Sequence, residues 1–297
     1  MSVLQWRMVN SSIRLLAVDI DGTLTDPHFK VSERNIAALR AAHQAGIQVM
    51  LATGRRHDYA LPIALELGFP LLLVSSNGAV VRTSEGETLF TDFLKAETAR
   101  KLIRHMDAFR GNAVLTFDRP GHDALIIERF EELNRTISRW LEINRPYIQY
   151  VSPLEHAVAQ EDPVQAMFCG PVSLMVRAQE RLAEADFLDE ITILRTQYDH
   201  RDLSILDVLT CECSKGHALR RLAEQNNIPT SQIMAIGDNY NDLEMLEYAG
   251  VPVIMGNASP DLKQAGWRVT GSNAESGVAQ AVEELLGAGF QELIRGQ

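Results

Sequence analysis

Short, almost wholly apolar segments recur along this chain, each closed by a small polar or acidic residue and set off from the next by a helical pattern. Residues 14–18 (RLLAV) are the first. A strand that is apolar on both sides of its pleat must be covered on both faces, which a parallel sheet between helix layers provides. The next segment predicts a helix, with Ser32 as N-cap, Ile36 and Leu39 on an apolar stripe and Gly46 at its stop. The stretch IQVMLATGR predicts a second strand ending at Thr53. DYALPIALELG predicts a short helix, and PLLLVSS a third strand. The order β-α-β-α-β is that of a doubly wound sheet. The same rhythm resumes near Ser214. A helix carries Ala218, Leu219 and Leu222, a strand ends at Asp238, a helix closes at Gly250, and VPVIMG and ESGVAQAVEELLG predict a last strand and helix.

The intervening stretch reads differently. Asn77-Gly78 between apolar segments is a hairpin-type turn. Beyond it, TLFTDFL, AVLTFDR, ALIIERF, VQAMFCG, ITILRT and LSILDVL predict strands, and helices fall near 96–110, 133–145 and 172–186. The fold class expected is therefore α/β. Residues 1–83 and 211–297 form a doubly wound, Rossmann-like parallel-sheet core, and residues 84–210 form an inserted α+β domain. The 297 residues are enough for two separate cores.

The net charge of −11 disfavours nonspecific binding to nucleic acid or anionic membranes. No apolar run approaches the ~20 residues of a membrane span. The first residues, MSVLQWRMVNSSIR, lack the pattern of a signal peptide, so a cytoplasmic protein is expected. Cys169, Cys211 and Cys213 make no disulfide framework, and no second ligand pair accompanies Cys211, Cys213 and His217 as a metal set.

In open parallel sheets, ligands bind beyond the carboxyl ends of the strands. Asp19, Thr53, Ser75 to Asn77, Asp238 and Gly256-Asn257 all fall there. Taken singly, each is also a turn or cap residue; the set is what points to a site. Asp19 and Asp21 stand one residue apart at the end of a buried strand, a costly arrangement unless a cation offsets it. A calcium loop of the EF-hand type fails on spacing, since its glycine and glutamate positions fall on Leu24 and Lys30. Neither a dinucleotide-binding glycine motif nor a Gly-Lys-Ser/Thr phosphate loop is found. Lys215 opens a helix, where a cation works against the helix dipole, so a specific role is indicated.

Four stretches, DIDGT (19–23), ATGR around Thr53, SKG around Lys215 and GDNYND (237–242), resemble in order the motifs of the haloacid dehalogenase superfamily. The wording of SSNGA, SKGHAL and GDNYNDLEML is similar to its Cof-type sugar phosphatase branch. Halide-removing members lack the second aspartate that Asp21 supplies, and the transporting ATPases carry lysine where Ile20 stands.

The resemblance implies that Asp19 is a nucleophile forming an aspartyl-phosphate and that Asp21 is the acid and base. It implies Mg²⁺ held by the Asp19 carboxylate, the Asp21 backbone carbonyl and Asp238, with Asp242 supporting. Phosphate contacts are implied for the Ile20 amide, Thr53, Gly54, Lys215 and Asn241. For Asn241 and Asp242, solvated helix caps are the alternative. Arg55 and Arg56 lie either near substrate or at the surface. The insertion, between the second and third motifs, corresponds to the family's cap, with residues 118–123 and Tyr198 to Arg201 as candidate facing loops. The function implied is a Mg²⁺-dependent phosphatase of small phosphorylated metabolites, sugar phosphates or similar. A phosphosugar mutase and a non-catalytic phosphometabolite-binding protein are the alternatives. Substrate and oligomeric state are not given by the sequence.

Overall fold

The structure, a computed structural model, describes residues 13–119, 123–159 and 161–287. The chain forms two compact units, one of residues up to Phe90 and from Lys215, the other Thr91–Ser214.

The first unit is built on β1 (Leu15–Asp19), β2 (Gln48–Ala52), β3 (Leu72–Ser75), β4 (Val80–Thr83) and β5 (Thr88–Thr91). To these the later segment adds β12 (Ile233–Gly237), β13 (Val251–Ile254) and β14 (Arg268–Val269). They form one eight-stranded sheet in the order β14-β13-β12-β1-β2-β3-β4-β5. Pairings from β14 to β3 are parallel, and β4 returns antiparallel to β3.

Both faces are buried, as the apolar runs require. Leu16 and Val18 of β1 point into one core with Val49, Leu51, Met234 and Ile236. Leu15 and Ala17 point into the other with Met50, Ile233 and Ala235. Helices α1 (Glu33–Gln44), α2 (His57–Glu66) and α9 (Gly277–Leu286) cover the first face through Ile36, Leu39, Ala60, Ala64, Val278 and Val282. Helices α6 (Lys215–Gln225) and α7 (Leu243–Tyr248) cover the second through Leu219, Leu222, Met245 and Leu246. The Ser32 hydroxyl accepts the Asn35 N–H at 3.1 Å, the cap expected from sequence. Asp19, Ser75 and Gly237 are the last residues of their strands, and Thr53 and Asp238 follow directly.

The second unit holds β6 (Ala113–Thr116), β7 (Leu125–Ile127), β8 (Ile148–Tyr150), β9 (Gln165–Gly170), β10 (Ile191–Tyr198) and β11 (Leu203–Thr210). Its sheet runs β10-β11-β9-β6-β7-β8, antiparallel except for the β7–β8 pair. Helices α3 (Ala96–His105) and α5 (Val172–Ala183) pack on one face through Leu102, Ile103, Met175 and Leu182. Helix α4 (Glu131–Asn144) packs on the other through Leu133, Ile137 and Leu141.

Besides β14, a two-residue edge strand beyond the expected last one, two further features differ from expectation. TLFTDFL, read within the insertion, supplies β5, the edge strand of the first sheet beyond β4. Strand β8 was not expected; it is three residues long, with Ile148 partly buried and Gln149 and Tyr150 exposed, too short for a period-2 pattern. Among the described residues, no helix is long and apolar enough to cross a membrane. Leu51 is fully buried in a central strand. Leu51→Ala should lower stability by about 2–5 kcal/mol, read as a lower urea midpoint with an unchanged slope.

Candidate active site

Residues from four strand ends and one helix start converge in the first unit. Lys215 opens α6 with its side chain 1% exposed, and its Nζ donates to Asp19 Oδ1 at 2.6 Å and to Asp242 Oδ1 at 2.7 Å. Burial pulls the lysine pKa down, but the two carboxylates outweigh it and hold it above its ordinary value. Lys215 is thus a fixed positive charge rather than a solvated one.

Asp242 is fully buried, and its Oδ2 accepts the N–H groups of Asp238 (3.0 Å) and Asn239 (3.1 Å). It both caps the turn after β12 and faces the lysine, so the solvated-cap alternative does not hold for it. Gly237 permits this, because a Cβ there would lie 2.6 Å from Asp242 Cβ. Asp238 accepts the Thr23 hydroxyl on Oδ1 at 3.0 Å. Gly22 has φ +82° and packs against the Asp238 carboxylate where any Cβ would overlap it, so the turn needs glycine on both counts. The Asn257 amide ties the same turn, donating to the Gly22 carbonyl at 2.8 Å.

Carboxylate oxygens of Asp19, Asp238 and Asp242 lie within 4.8 Å of one another. The lysine pairs with two of the three carboxyls, and Asp19 Oδ2 is buried with no hydrogen-bond partner. Burial, and then the Asp242 charge, push the Asp19 pKa up to about 7 against the opposing pull of Lys215. Burial and the Asp19 charge likewise raise Asp238 well above the carboxylate range. A compact all-oxygen donor set with surplus negative charge and an unsatisfied oxygen fits a hard divalent cation.

The other expected contacts gather beside this cluster. Thr53 is buried, and its Oγ1 accepts the Arg55 N–H at 3.1 Å. Gly54 approaches the Asn77 side chain so closely that a Cβ would stand 3.2 Å from Nδ2. Asn77 Oδ1 in turn accepts the Asn241 amide at 3.0 Å. Asn241 is 8% exposed, so it too is no solvated cap. Ile20 is buried, its carbonyl accepting the Thr25 N–H (2.9 Å) and hydroxyl (3.0 Å).

Asp21, expected to reach the metal through its backbone carbonyl, directs its carboxylate elsewhere. Its carboxylate is not one of the three clustered groups. Instead, Arg55 Nε donates to Asp21 Oδ2 at 2.7 Å and Arg55 Nη2 to Oδ1 at 2.5 Å. Of the two arginines after Thr53, it is Arg55 that pairs with Asp21, while Arg56 occupies the N-cap position of α2. Thr23 is not singled out by the sequence; Asn77 enters only as one of the strand-end set, and Arg55 only as a residue either near substrate or at the surface. The signal for each was adjacency to a motif: Thr23 closes DIDGT, Arg55 closes ATGR, and Asn77 sits in the Asn-Gly turn. In the second unit, Tyr198 to Arg201 lie at the tip of the β10–β11 hairpin, while residues 120–122 of the 118–123 stretch lie outside the described residues.

A family model described as haloacid dehalogenase-like hydrolase matches residues 16–282. The chain is 30% identical to the phosphatase YwpJ of Bacillus subtilis (strain 168), over 92% of this chain and 100% of that one. It is 28% identical to the 5-amino-6-(5-phospho-D-ribitylamino)uracil phosphatase YwtE of the same bacterium, over 92% and 98%. Among solved structures, a haloacid dehalogenase-like hydrolase from B. subtilis matches with a TM-score of 0.78 at 28% identity, over 92% of this chain and 100% of that one.

The raised Asp19 pKa has a signed consequence. A carboxyl whose folded pKa exceeds its unfolded value contributes stability at low pH that is lost as pH rises through the folded value, here about 7. Metal ligation needs the deprotonated form. A millimolar divalent cation should therefore raise the melting temperature more at about pH 8 than at about pH 6. Differential scanning fluorimetry with and without chelator measures this.

Proposed function

Because the chain belongs to the haloacid dehalogenase-like hydrolase family, we propose that it is a magnesium-dependent phosphatase of small phosphorylated metabolites, sugar phosphates or similar, working through a phosphorylated Asp19. The named activities of its relatives support phosphate-ester hydrolysis as the reaction. The observation that carries the reading is the buried oxygen of Asp19, without a partner, at the centre of a lysine and two further carboxylates. Asp19, Asp238 and the Asp21 carbonyl are the groups that would hold Mg²⁺, with Asp242 supporting them. The ion would supply positive charge against the phosphate oxygens and the crowded carboxylates.

In the proposed cycle, an Asp19 carboxylate oxygen attacks phosphorus in line with the ester oxygen. The new bond is O–P to Asp19, the bond broken is P–O to the leaving group, and Asp21 gives that oxygen a proton. A water then attacks the same phosphorus, Asp21 takes its proton, and the Asp19 carboxylate is regenerated with release of inorganic phosphate. Lys215 holds Asp19 Oδ1 in place and opposes charge on the phosphate. The Thr53 hydroxyl, the Gly54 and Ile20 amides and the Asn241 amide are the proposed phosphate donors. The inserted unit is assigned substrate selectivity by the same family resemblance. A net charge of −11 and three cysteines without a disulfide framework suit the cytoplasm.

Purified protein should release inorganic phosphate from p-nitrophenyl phosphate and from members of a sugar-phosphate panel, only with a divalent cation. Asp19→Asn should lose at least about a thousandfold in kcat, since an amide is no nucleophile here. Undiminished release by that variant would remove Asp19 from the mechanism.

A further inference from the structure

Arg55 sits where two fixed backbones meet. Its N–H donates to Thr53 Oγ1 (3.1 Å), and its carbonyl accepts the Ser76 N–H (2.8 Å), so the turn after β2 is tied to the turn after β3. Its guanidinium edge forks onto both oxygens of Asp21 at 2.7 and 2.5 Å. Its face lies over the Tyr59 ring, 4.8 Å from the centroid, and the half-exposed Phe29 ring lies 6.0 Å away. The arginine side chain is 12% exposed and that of Asp21 29%. A planar fork fixes the plane of a carboxylate, using one lone pair on each oxygen and leaving the other free. A lysine, as a point charge on a flexible stem, cannot do this. Asp21 has no place in the carboxylate cluster, so its orientation depends on the arginine instead.

We propose that Arg55 is a positioning residue, which holds the plane of the Asp21 carboxyl group so that one of its oxygens addresses the ester oxygen leaving phosphorus. The proposal rests on the assignment of Asp21 as acid and base. The bland alternative is an ion pair that only pins two loops together; such a pair would affect stability without regard to the leaving group. Proton delivery matters most when the departing oxygen is a strong base. Phenyl phosphate and p-nitrophenyl phosphate are similar in size but differ in this respect.

The test compares wild type, Arg55→Lys, Arg55→Gln, Asp21→Asn and Arg55→Lys/Asp21→Asn on both esters with magnesium. Melting temperatures are recorded for each. Arg55→Lys should lose about tenfold or more in kcat/KM on phenyl phosphate beyond its loss on p-nitrophenyl phosphate, because kcat/KM reports the step in which the alcohol departs. Arg55→Gln, which keeps amide donors without the charged fork, should show the same selective loss and serves if the lysine variant does not fold. In the Asp21→Asn background, Arg55→Lys should add almost nothing. Equal losses in kcat/KM on the two esters would overturn the role of Arg55 while Asp21→Asn stays selective. A non-selective Asp21→Asn would instead overturn the acid assignment, and the Arg55 role with it.

Discussion

One lysine holding two buried carboxylates organises this protein. Lys215 reaches Asp19 and Asp242 from positions 196 and 27 residues away in sequence, and nearly all of the group is closed to water. Buried charges are tolerated only when paired and hydrogen-bonded. The strand that ends at Asp19 and the strand that Asp238 follows therefore have to lie side by side, as β1 and β12 do, and α6 has to begin beside them. The pairing is incomplete by design of the donor set: an oxygen of Asp19 is left over, and the third carboxyl, Asp238, has a threonine hydroxyl and no lysine. Fold and chemistry share this cause. The strand ends must be close to satisfy Lys215, and the surplus negative charge that remains is what a cation would offset.

Much of this was legible because it is written in local patterns. The unbroken hydrophobicity of residues 15–18, which pack alternately into two cores, required a sheet covered on both faces. Ser32 and the position of Gly46 marked the ends of α1. Asp19, Thr53 and Asp238 stood out as small polar residues at the carboxyl ends of parallel strands; Lys215, Asn241 and Asp242 stood out through their resemblance to a family's motifs. Less was legible wherever the deciding contact is nonlocal. Thr88–Thr91 has the pattern of a strand, but nothing in that pattern says which sheet edge it joins. The Asn77-Gly78 signal gave a turn. It did not reveal that Asn77, at φ 53° and fully buried, sends its side chain between Gly54 and Asn241. The pairing of Asp21 with Arg55, 34 residues on, depends on how two turns are fixed in space.

The two aspartates of DIDGT thus have opposite surroundings. Asp19 is buried against a lysine and two like charges, with its pKa near 7, in a place where a cation relieves the crowding. Asp21 is partly exposed and already held by an arginine fork. In the proposed mechanism, such unequal environments would divide nucleophile from proton carrier within one short motif. The backbone supports the division, since Gly22 turns the chain between them with a positive φ that brings Asp238 against it.

Covalent participation of Asp19 is most directly tested by the stereochemical course at phosphorus, using a thiophosphate ester made chiral with two oxygen isotopes and hydrolysed by the wild-type protein with magnesium in water that carries the third. Each in-line displacement inverts the phosphoryl group, so attack by Asp19 followed by attack of water predicts overall retention. Inversion would mean that water displaces the leaving group in a single step, and the central assignment would be wrong.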